Sequence, residues 1–264
     1  MPVVSEIALE DVSAAYGKRP ALSGVRLDVG AGEMVGVIGP NGSGKSTLLR
    51  VIAGLLKPSE GRVYVGGRTH SELSRADLGR RMSLLVQSPI CPPETSVREL
   101  VGFGRYPHVR WPRRFGARDR QTVDSAIEAC GLSGLAERRL TTLSGGEMRR
   151  AWVAMSLAQE PQVMLLDEPV TFLDVGHQLE VMDLISDLNV RLGLTVVAVL
   201  HDLNLAARYC PRLIALSRGR IHSDAPAPEV IRPHVLGEVF GIGAIVGLDP
   251  RTHRPVCYPY RLDR

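Results

Sequence analysis

The sequence predicts an α/β fold with a mainly parallel sheet, flanking helices and an inserted helical subdomain. Two apolar runs rich in β-branched residues, "QVMLLDEP" and "LTVVAVLHD", are separated by the helical pattern "GHQLEVMDLISDLNVRLG". Such alternation is typical of parallel strands joined by crossover helices. Between residues 95 and 159 the apolar periodicity is helical and no strand pattern occurs, which indicates a helical insertion in the α/β core.

The first ninety residues supply further elements. The stretches "IALEDVSAAY", "VRLDVGAGEMVGVIG" and "GRVYVGG" read as strands, and "RMSLLVQ" reads as a buried strand that ends at Gln87. After Gly44, apolar residues at helical spacing predict a helix that continues through Leu56 and stops at Lys57-Pro58. The proline-rich tail from about Asp224 predicts a small C-terminal appendage, and the pattern leaves its order open.

Composition excludes several classes of protein. The 264 residues are 44% hydrophobic and 23% charged, as in ordinary globular domains, and the formal net charge is +4. No aromatic residues interleave with basic ones as in nucleic-acid-binding surfaces, so no nucleic-acid partner is expected. A group of arginines has only Asp119 opposing it, and a solvated loop is favoured over contact with an anionic surface. The group comprises Arg105, Arg110, Arg113, Arg114, Arg118 and Arg120.

The cysteines and the apolar runs bear on location. Cys91, Cys130, Cys210 and Cys257 are scattered without a CxxC pair, which argues for reduced thiols rather than a zinc site or disulfides. The N-terminus lacks a signal-peptide pattern. The apolar runs are much shorter than the ~20 residues that span a bilayer. The chain is therefore expected to be soluble and to meet a membrane only through a partner.

A glycine-rich loop predicts a phosphate site. "GPNGSGKST" fits the pattern G-x-x-x-x-G-K-[ST] and lies between a predicted strand and a predicted helix. Glycines let successive backbone N–H groups turn toward one point, and the helix start favours anions. Lys45 would add a charge at the β- and γ-phosphates, and the Ser46 hydroxyl would bind Mg²⁺. The candidate nucleotide-binding residues are Gly39, Pro40, Asn41, Gly42, Ser43, Gly44, Lys45, Ser46 and Thr47.

Other polar residues follow predicted strands and are candidates for the chemistry. Asp167 ends the strand in "VMLLDE" and could hold Mg²⁺, while Glu168 could orient or deprotonate an attacking water. His201 and Gln87 also follow apolar strands. Because ligands in open α/β folds bind at the carboxyl ends of strands, these residues are expected to converge on one site.

A second helix start resembles a phosphate site without a lysine. In "LSGGEMRR", Ser144 and Glu147 have the spacing of a capping box, in which each side chain binds the other residue's backbone N–H. Gly145 and Gly146 would leave further N–H groups open. An ordinary capped helix is the alternative, and the two are compatible.

Together these motifs resemble the ATP-binding cassette family of transport ATPases over about residues 5 to 220. The resemblance implies a P-loop NTPase core with an antiparallel β part near the N-terminus. It implies that ATP and Mg²⁺ are the cofactors, that Glu168, His201 and Gln87 are catalytic, and that Ser46, Gln87 and Asp167 hold the metal. Tyr16 lies where the family stacks an aromatic ring on adenine.

The resemblance also implies a dimer of two copies. In the family, the signature, here Ser144, Gly145, Gly146 and Glu147, and the D-loop residue, here Asp174, act in trans on ATP held by the other subunit. Three residues depart from the family pattern. Glu147 replaces the usual glutamine and is expected to turn back into its cap, while Arg149 and Val170 are expected to affect only the tuning of hydrolysis.

The implied domains are an ATP-binding core of residues 1–88 and 160–222, a helical signature subdomain of residues 89–159, and an appendage of residues 223–264. A single cassette without a span implies a separate integral-membrane permease, indirect contact with a substrate-binding protein, and a peripheral location on the cytoplasmic face of the membrane.

The segments "LVGFGRYPH" and "VLHDLNLAARYC" look like those of importers of iron–siderophore complexes, haem and cobalamin. An iron–siderophore substrate is favoured, with haem and cobalamin as alternatives. A soluble cassette acting on DNA or ribosomes is disfavoured because no long coiled coil or second cassette is present. A regulator without turnover would lack Lys45 or Glu168, and both are present.

Overall fold

The computed structural model describes residues 5–109 and 115–262. Its strands are β1 (Ser5–Tyr16), β2 (Arg19–Gly30), β3 (Met34–Ile38), β4 (Glu60–Val65), β5 (Arg68–Thr69), β6 (Met82–Leu85), β7 (Val163–Asp167), β8 (Thr195–Val199), β9 (Arg212–Ser217), β10 (Arg220–Pro226), β11 (Gly243–Leu248) and β12 (Pro255–Tyr260). Its α-helices are α1 (Lys45–Ile52), α2 (Arg75–Arg81), α3 (Val97–Phe103), α4 (Ala117–Ala129), α5 (Gly145–Ala158), α6 (Val175–Leu192), α7 (Leu203–Tyr209), α8 (Ala227–Val230) and α9 (Pro233–Phe240). The predicted α/β class is confirmed.

Contacts divide the chain into two units. The first unit comprises residues 1–72 and 195–264, and the second comprises residues 73–194. This division differs from the three predicted domains, whose boundaries stay a prediction. The predicted boundary after residue 222 falls inside β10, a strand paired with β9.

The first unit contains two sheets and a hairpin. An antiparallel sheet has the strand order β2-β1-β4-β5. In a second sheet, β3 pairs in parallel with β8 and β9, and β10 adds an antiparallel edge. Every residue of β3 and β8 is buried, as expected for parallel strands covered on both faces.

The C-terminal tail, whose order the sequence pattern left open, forms regular elements over residues 223–262. Strands β11 and β12 pair antiparallel, and α8 and α9 precede them. The Asn204 side chain of α7 binds both backbone groups of Cys257, donating to its carbonyl at 3.1 Å and accepting from its N–H at 2.8 Å.

Two predicted element ends also need correction. Helix α1 ends at Ile52 rather than Leu56, because Gly54 adopts a φ of 71° that a helix cannot continue through. Strand β6 ends at Leu85, and Gln87 lies exposed two residues beyond it. The apolar pattern continues past both ends, so periodicity alone placed them too late.

In the second unit, β6 and β7 pair in parallel, and α3, α4 and α5 pack against one another. Within the described part of residues 95–159 the only β pairing is the isolated bridge between Ser96 and Arg139, so the predicted helical character is confirmed there. Among the described residues, no helix has the length and apolar character needed to cross a bilayer.

Arg105 joins the helices of the second unit. Arg105 is 2% exposed, and its guanidinium donates to the Ala158 carbonyl at 2.7 Å and pairs with Asp119 at 3.0 Å and Glu160 at 2.7 Å. Arg105 is therefore no part of a solvated arginine loop, and that interpretation is wrong for it. Arg110, Arg113 and Arg114 lie outside the described residues.

We predict that Arg105→Met lowers the free energy of unfolding by about 3 kcal/mol, because removing one partner leaves carboxylates and a carbonyl without their buried donor. Urea denaturation monitored by circular dichroism measures the change. The matched control is Arg26→Met, which breaks an exposed pair with Asp11 and should leave the midpoint unchanged within error. Equal midpoints for the two variants would contradict a stabilising role for Arg105.

Candidate active site

The glycine-rich loop lies between β3 and α1 and requires glycine at two positions. Gly39 has a φ of 152° and Gly44 a φ of 107°. A Cβ at Gly39 would lie 2.1 Å from the Leu216 carbonyl oxygen, and one at Gly44 would lie 2.7 Å from the Ala21 carbonyl oxygen. Gly42 also has a positive φ, 76°, in open space. The loop backbone can therefore adopt this shape only without side chains at Gly39 and Gly44.

The side chains of the loop supply a donor set for phosphate. Lys45 is buried, and its ammonium group donates to the carbonyl oxygens of Gly39 at 2.8 Å and Pro40 at 3.0 Å. The Ser43 hydroxyl is buried and has no hydrogen-bond partner among the described residues. Gly44 caps α1 without a side-chain hydrogen bond, so the first N–H groups of the helix have no side-chain cap. These features fit a phosphate chain.

The other predicted loop residues surround this donor set. Ser46 is half-buried in the first turn of α1 and Thr47 is buried, whereas Asn41 is exposed. Tyr16, at the end of β1, is 45% exposed, and its hydroxyl accepts from Arg50 at 3.2 Å. An exposed ring at this position is compatible with stacking on a base, which stays a prediction.

Strand β7 delivers the two predicted carboxylates. Asp167 is buried as the last residue of the strand. Glu168 follows with a φ of 53°, a left-handed conformation that costs a non-glycine residue about 1 to 3 kcal/mol and is typical of functional sites. This backbone strain requires restraint from neighbouring groups.

The structure brings Gln87 and Glu168 together. The Gln87 amide donates to Glu168 Oε2 at 2.5 Å, and the Thr171 hydroxyl donates to the same oxygen at 3.0 Å. The two residues are far apart in the chain, and the parallel pairing of β6 with β7 aligns the strands that precede them. These two donors on one oxygen hold the Glu168 carboxylate in one orientation.

His201 belongs to the first unit, as does the glycine-rich loop, whereas Gln87, Asp167 and Glu168 belong to the second. His201 is exposed two residues after β8. The next residue, Asp202, caps α7 by accepting from the Leu205 N–H at 2.8 Å.

The predicted capping box at the start of α5 is confirmed. The Ser144 N–H donates to Glu147 Oε2 at 2.8 Å, and the Glu147 N–H donates to Ser144 Oγ at 3.2 Å. The backbone N–H of Ser144 lowers the pKa of the Glu147 carboxyl below its usual value, with a further contribution from the Ser144 hydroxyl. Glu147 thus turns back into its own helix, as its spacing predicts.

His177, which the sequence reasoning missed, links the signature to Asp174. A Cβ on Gly146 would lie 2.3 Å from His177 Cδ2, so the imidazole packs directly on the Gly146 backbone. The Asp174 carboxylate accepts from the His177 N–H at 2.9 Å and lies 2.7 Å from its Nδ1. His177 lies in the segment "LDVGHQ", which also looks like the importers of iron–siderophore complexes, haem and cobalamin, but no pattern there indicates its contact with Gly146.

Arg149 was expected only to tune hydrolysis, yet it is buried against the second unit's catalytic candidates. Its guanidinium donates to the carbonyl oxygens of Pro169 at 2.5 Å, Glu168 at 2.7 Å and Gln87 at 3.4 Å. Burial lowers the pKa of Arg149 to about 10, although the carboxylates of Asp167 and Glu168 act to raise it. The group therefore keeps its charge at neutral pH.

A profile of the family described as "ABC transporter" matches residues 22–171, which include the loop, the two carboxylates and the signature helix. The chain belongs to the ABC transporter family.

Relatives within this family are similar over most of the chain. The Iron(3+)-hydroxamate import ATP-binding protein FhuC of Bacillus subtilis (strain 168) is 39% identical over 98% of this chain and 96% of its own length. The Cobalamin import ATP-binding protein BtuD of Halobacterium salinarum (strain ATCC 29341 / DSM 671 / R1) is 43% identical over 88% of this chain but only 58% of its own.

A solved structure, "Dimeric Structure of MJ0796, a Bacterial ABC Transporter Cassette", is 31% identical and has a TM-score of 0.73. The match covers 84% of this chain and 98% of that one. Family membership makes this chain an ABC ATPase whose nucleotide is ATP.

We predict that Glu147→Gln makes stability less dependent on pH in acid. Because the folded-state pKa of Glu147 is lowered, its carboxylate stabilises the fold above its unfolded pKa, about 4.3, and this contribution is lost as the pH falls through the folded value. Thermal unfolding from pH 7 down to pH 2 should show a wild-type advantage at pH 7 that shrinks as the pH falls below about 4.3. A constant difference across this range would contradict the effect of ionisation.

Proposed function

We propose that this chain is the ATP-hydrolysing subunit of a bacterial importer that drives uptake of an iron–siderophore complex through a separate membrane permease. The observation that carries hydrolysis is the oriented Glu168 carboxylate, which accepts from Gln87 beside the buried Asp167. The similarity to an iron(3+)-hydroxamate import ATP-binding protein, which spans almost both chains, supports the substrate class.

The first unit's residues would hold the triphosphate. Backbone N–H groups of residues 39–44 and the start of α1 would bind phosphate oxygens, with the Lys45 ammonium leaving its loop carbonyls to neutralise them. Tyr16 would pack on the base. Mg²⁺, which prefers oxygen ligands, would be held by Ser46, Asp167 and Gln87 and would supply charge neutralisation at the phosphates when bound.

The residues around the attacking water have distinct roles in this proposal. Glu168 Oε1 or Oε2 would accept a hydrogen bond or proton from water, and Gln87 and Thr171 hold the carboxylate in one orientation for it. His201 would donate to the terminal phosphate. Positioning and charge account for most of the rate in phosphoryl transfer, and these groups supply both.

A second copy of the chain would complete each site. Ser144, Gly145, Gly146, Glu147 and Asp174 would face ATP held by the partner's glycine-rich loop, and the dimeric form of the related cassette supports this arrangement. The Ser144 hydroxyl accepts from its own helix, while Gly145 and Gly146 carry no side chain that would block a phosphate oxygen. Glu147 contributes as a cap and not as a ligand.

The partners follow from the importer proposal. An integral-membrane permease would bind this chain at the cytoplasmic face of the membrane, and a substrate-binding protein would act on the far side without touching it. Cobalamin is the second candidate substrate, supported by the similarity to a cobalamin import ATP-binding protein. That match leaves more than a third of the relative uncovered, so the iron–siderophore proposal takes precedence.

We predict that vesicles containing this chain, its neighbouring permease and its binding protein take up a ferric siderophore when supplied with ATP and Mg²⁺. A panel of ferric hydroxamates, ferric catecholates, haem and cobalamin distinguishes the substrate classes. Glu168→Gln should still bind ATP but should lower both hydrolysis and uptake by about 100-fold or more, because the group that accepts the proton is lost. Uptake of cobalamin or haem alone would contradict the proposed substrate, and near-normal turnover by Glu168→Gln would contradict the role of Glu168.

A further inference from the structure

We infer that Arg149 is a positioning residue for ATP hydrolysis, which holds the backbone at Glu168 and Gln87 so that their side chains meet. This inference rests on the proposed function, because it assigns a role within that reaction. Arg149 lies on α5, one turn after the signature glycines, and its hydrogen bonds go to the backbone around Glu168 and Gln87.

The contacts of Arg149 have one feature in common. All of its hydrogen bonds go to backbone carbonyl oxygens: those of Pro169 and Glu168, which are successive residues, and that of Gln87. A guanidinium presents five donors in one plane, so a single side chain can hold carbonyl groups from two loops at fixed positions. Arg149 is 8% exposed, so water has little access to these bonds.

The backbone that Arg149 holds is the strained one. Glu168 has a positive φ, and its two flanking peptide groups are free to relax unless other groups restrain them. Arg149 binds the carbonyl oxygens of both Glu168 and Pro169, so it restrains the peptide planes that follow the strained residue. The direction of the Glu168 side chain follows from that restraint.

Gln87 is held both by a side-chain hydrogen bond to Glu168 and by a backbone hydrogen bond to Arg149. The side-chain amide of Gln87 donates to the Glu168 carboxylate, while the backbone carbonyl of Gln87 accepts from Arg149. Arg149 therefore fixes both ends of the Gln87–Glu168 pair through their backbones. A glutamine at position 149 has a shorter side chain and one amide donor group, so it could not hold both loops.

The test compares Arg149→Gln and Arg149→Lys with wild type and with Arg139→Gln. Arg139→Gln removes a guanidinium from an exposed pair with Glu94 and serves as the matched control. Steady-state ATPase assays give kcat and KM, and binding of a fluorescent ATP analogue and thermal unfolding are measured in parallel. We expect Arg149→Gln to lower kcat about tenfold or more while KM and nucleotide affinity change less than about twofold. Arg149→Lys should recover part of the loss, and Arg139→Gln should match wild type.

A double-mutant cycle separates positioning from general structure. If Arg149 acts through Glu168, then Arg149→Gln should change the residual single-turnover rate of Glu168→Gln less than about twofold, because the oriented carboxylate is already absent. A tenfold loss that persists in the Glu168→Gln background would overturn the inference, as would wild-type kcat in folded Arg149→Gln. If Arg149→Gln does not fold, Arg149→Lys carries the same comparison, since it keeps the charge and loses the planar fork.

The inference and the proposed function fail in different ways. A wild-type chain that does not hydrolyse ATP, or a Glu168→Gln variant as active as wild type, would overturn both. A wild-type chain whose hydrolysis requires Glu168, together with normal kcat in both folded Arg149 variants, would overturn the positioning role alone.

Discussion

The unsatisfied backbone N–H groups at the start of an α-helix are the constraint on which this site depends. The chain satisfies them differently at two helix starts. Helix α1 begins after Gly44 without a side-chain cap, beside the buried Lys45, so its N–H groups suit a phosphate chain. Helix α5 begins with a reciprocal cap between Ser144 and Glu147 and has no lysine at its glycines. The two glycine-containing helix N-termini thus differ in their polar groups, since only α1 has a lysine beside it. The N-terminus of α5 therefore fits a ligand that is bound mainly by another copy of the chain.

Helix α5 also connects the signature to Glu168 of the same chain, the carboxylate for which we propose the catalytic role. Its first turn carries the capped glycines, and Arg149 in its second turn binds the carbonyl groups around Glu168. If the signature contacts ATP on a partner, as we propose, then the same helix spans the two sites of a dimer. A displacement of the α5 start would reach the backbone of Glu168 through one buried guanidinium. This gives the coupling of two sites a physical path through named contacts.

Sequence patterns predicted the features that depend on local geometry and missed those that depend on tertiary contact. The Ser144–Glu147 cap could be predicted from residue spacing alone. The glycine-rich loop could be predicted because phosphate binding requires a backbone conformation that only glycine allows there. The role of Arg149 depends on carbonyl groups brought from two distant loops, so no pattern near residue 149 contains it. His177 was missed for the same reason, because its partner Gly146 is distant in the chain. The order of the proline-rich C-terminal hairpin could not be predicted, because the side chain that binds it is on α7.

The central claim is that each active site combines the glycine-rich loop of one copy with the signature of another, and mixing inactive variants tests it directly. Lys45→Ala disables the loop and Ser144→Arg blocks the signature. In a head-to-tail heterodimer both changes fall on one site and leave the other intact, so the mixture should recover ATPase activity that neither variant has alone. The control mixes Lys45→Ala with Ser46→Ala, two loop variants that leave no intact site. Recovery only in the first mixture is the predicted result, whereas two equally inactive mixtures would contradict the shared site.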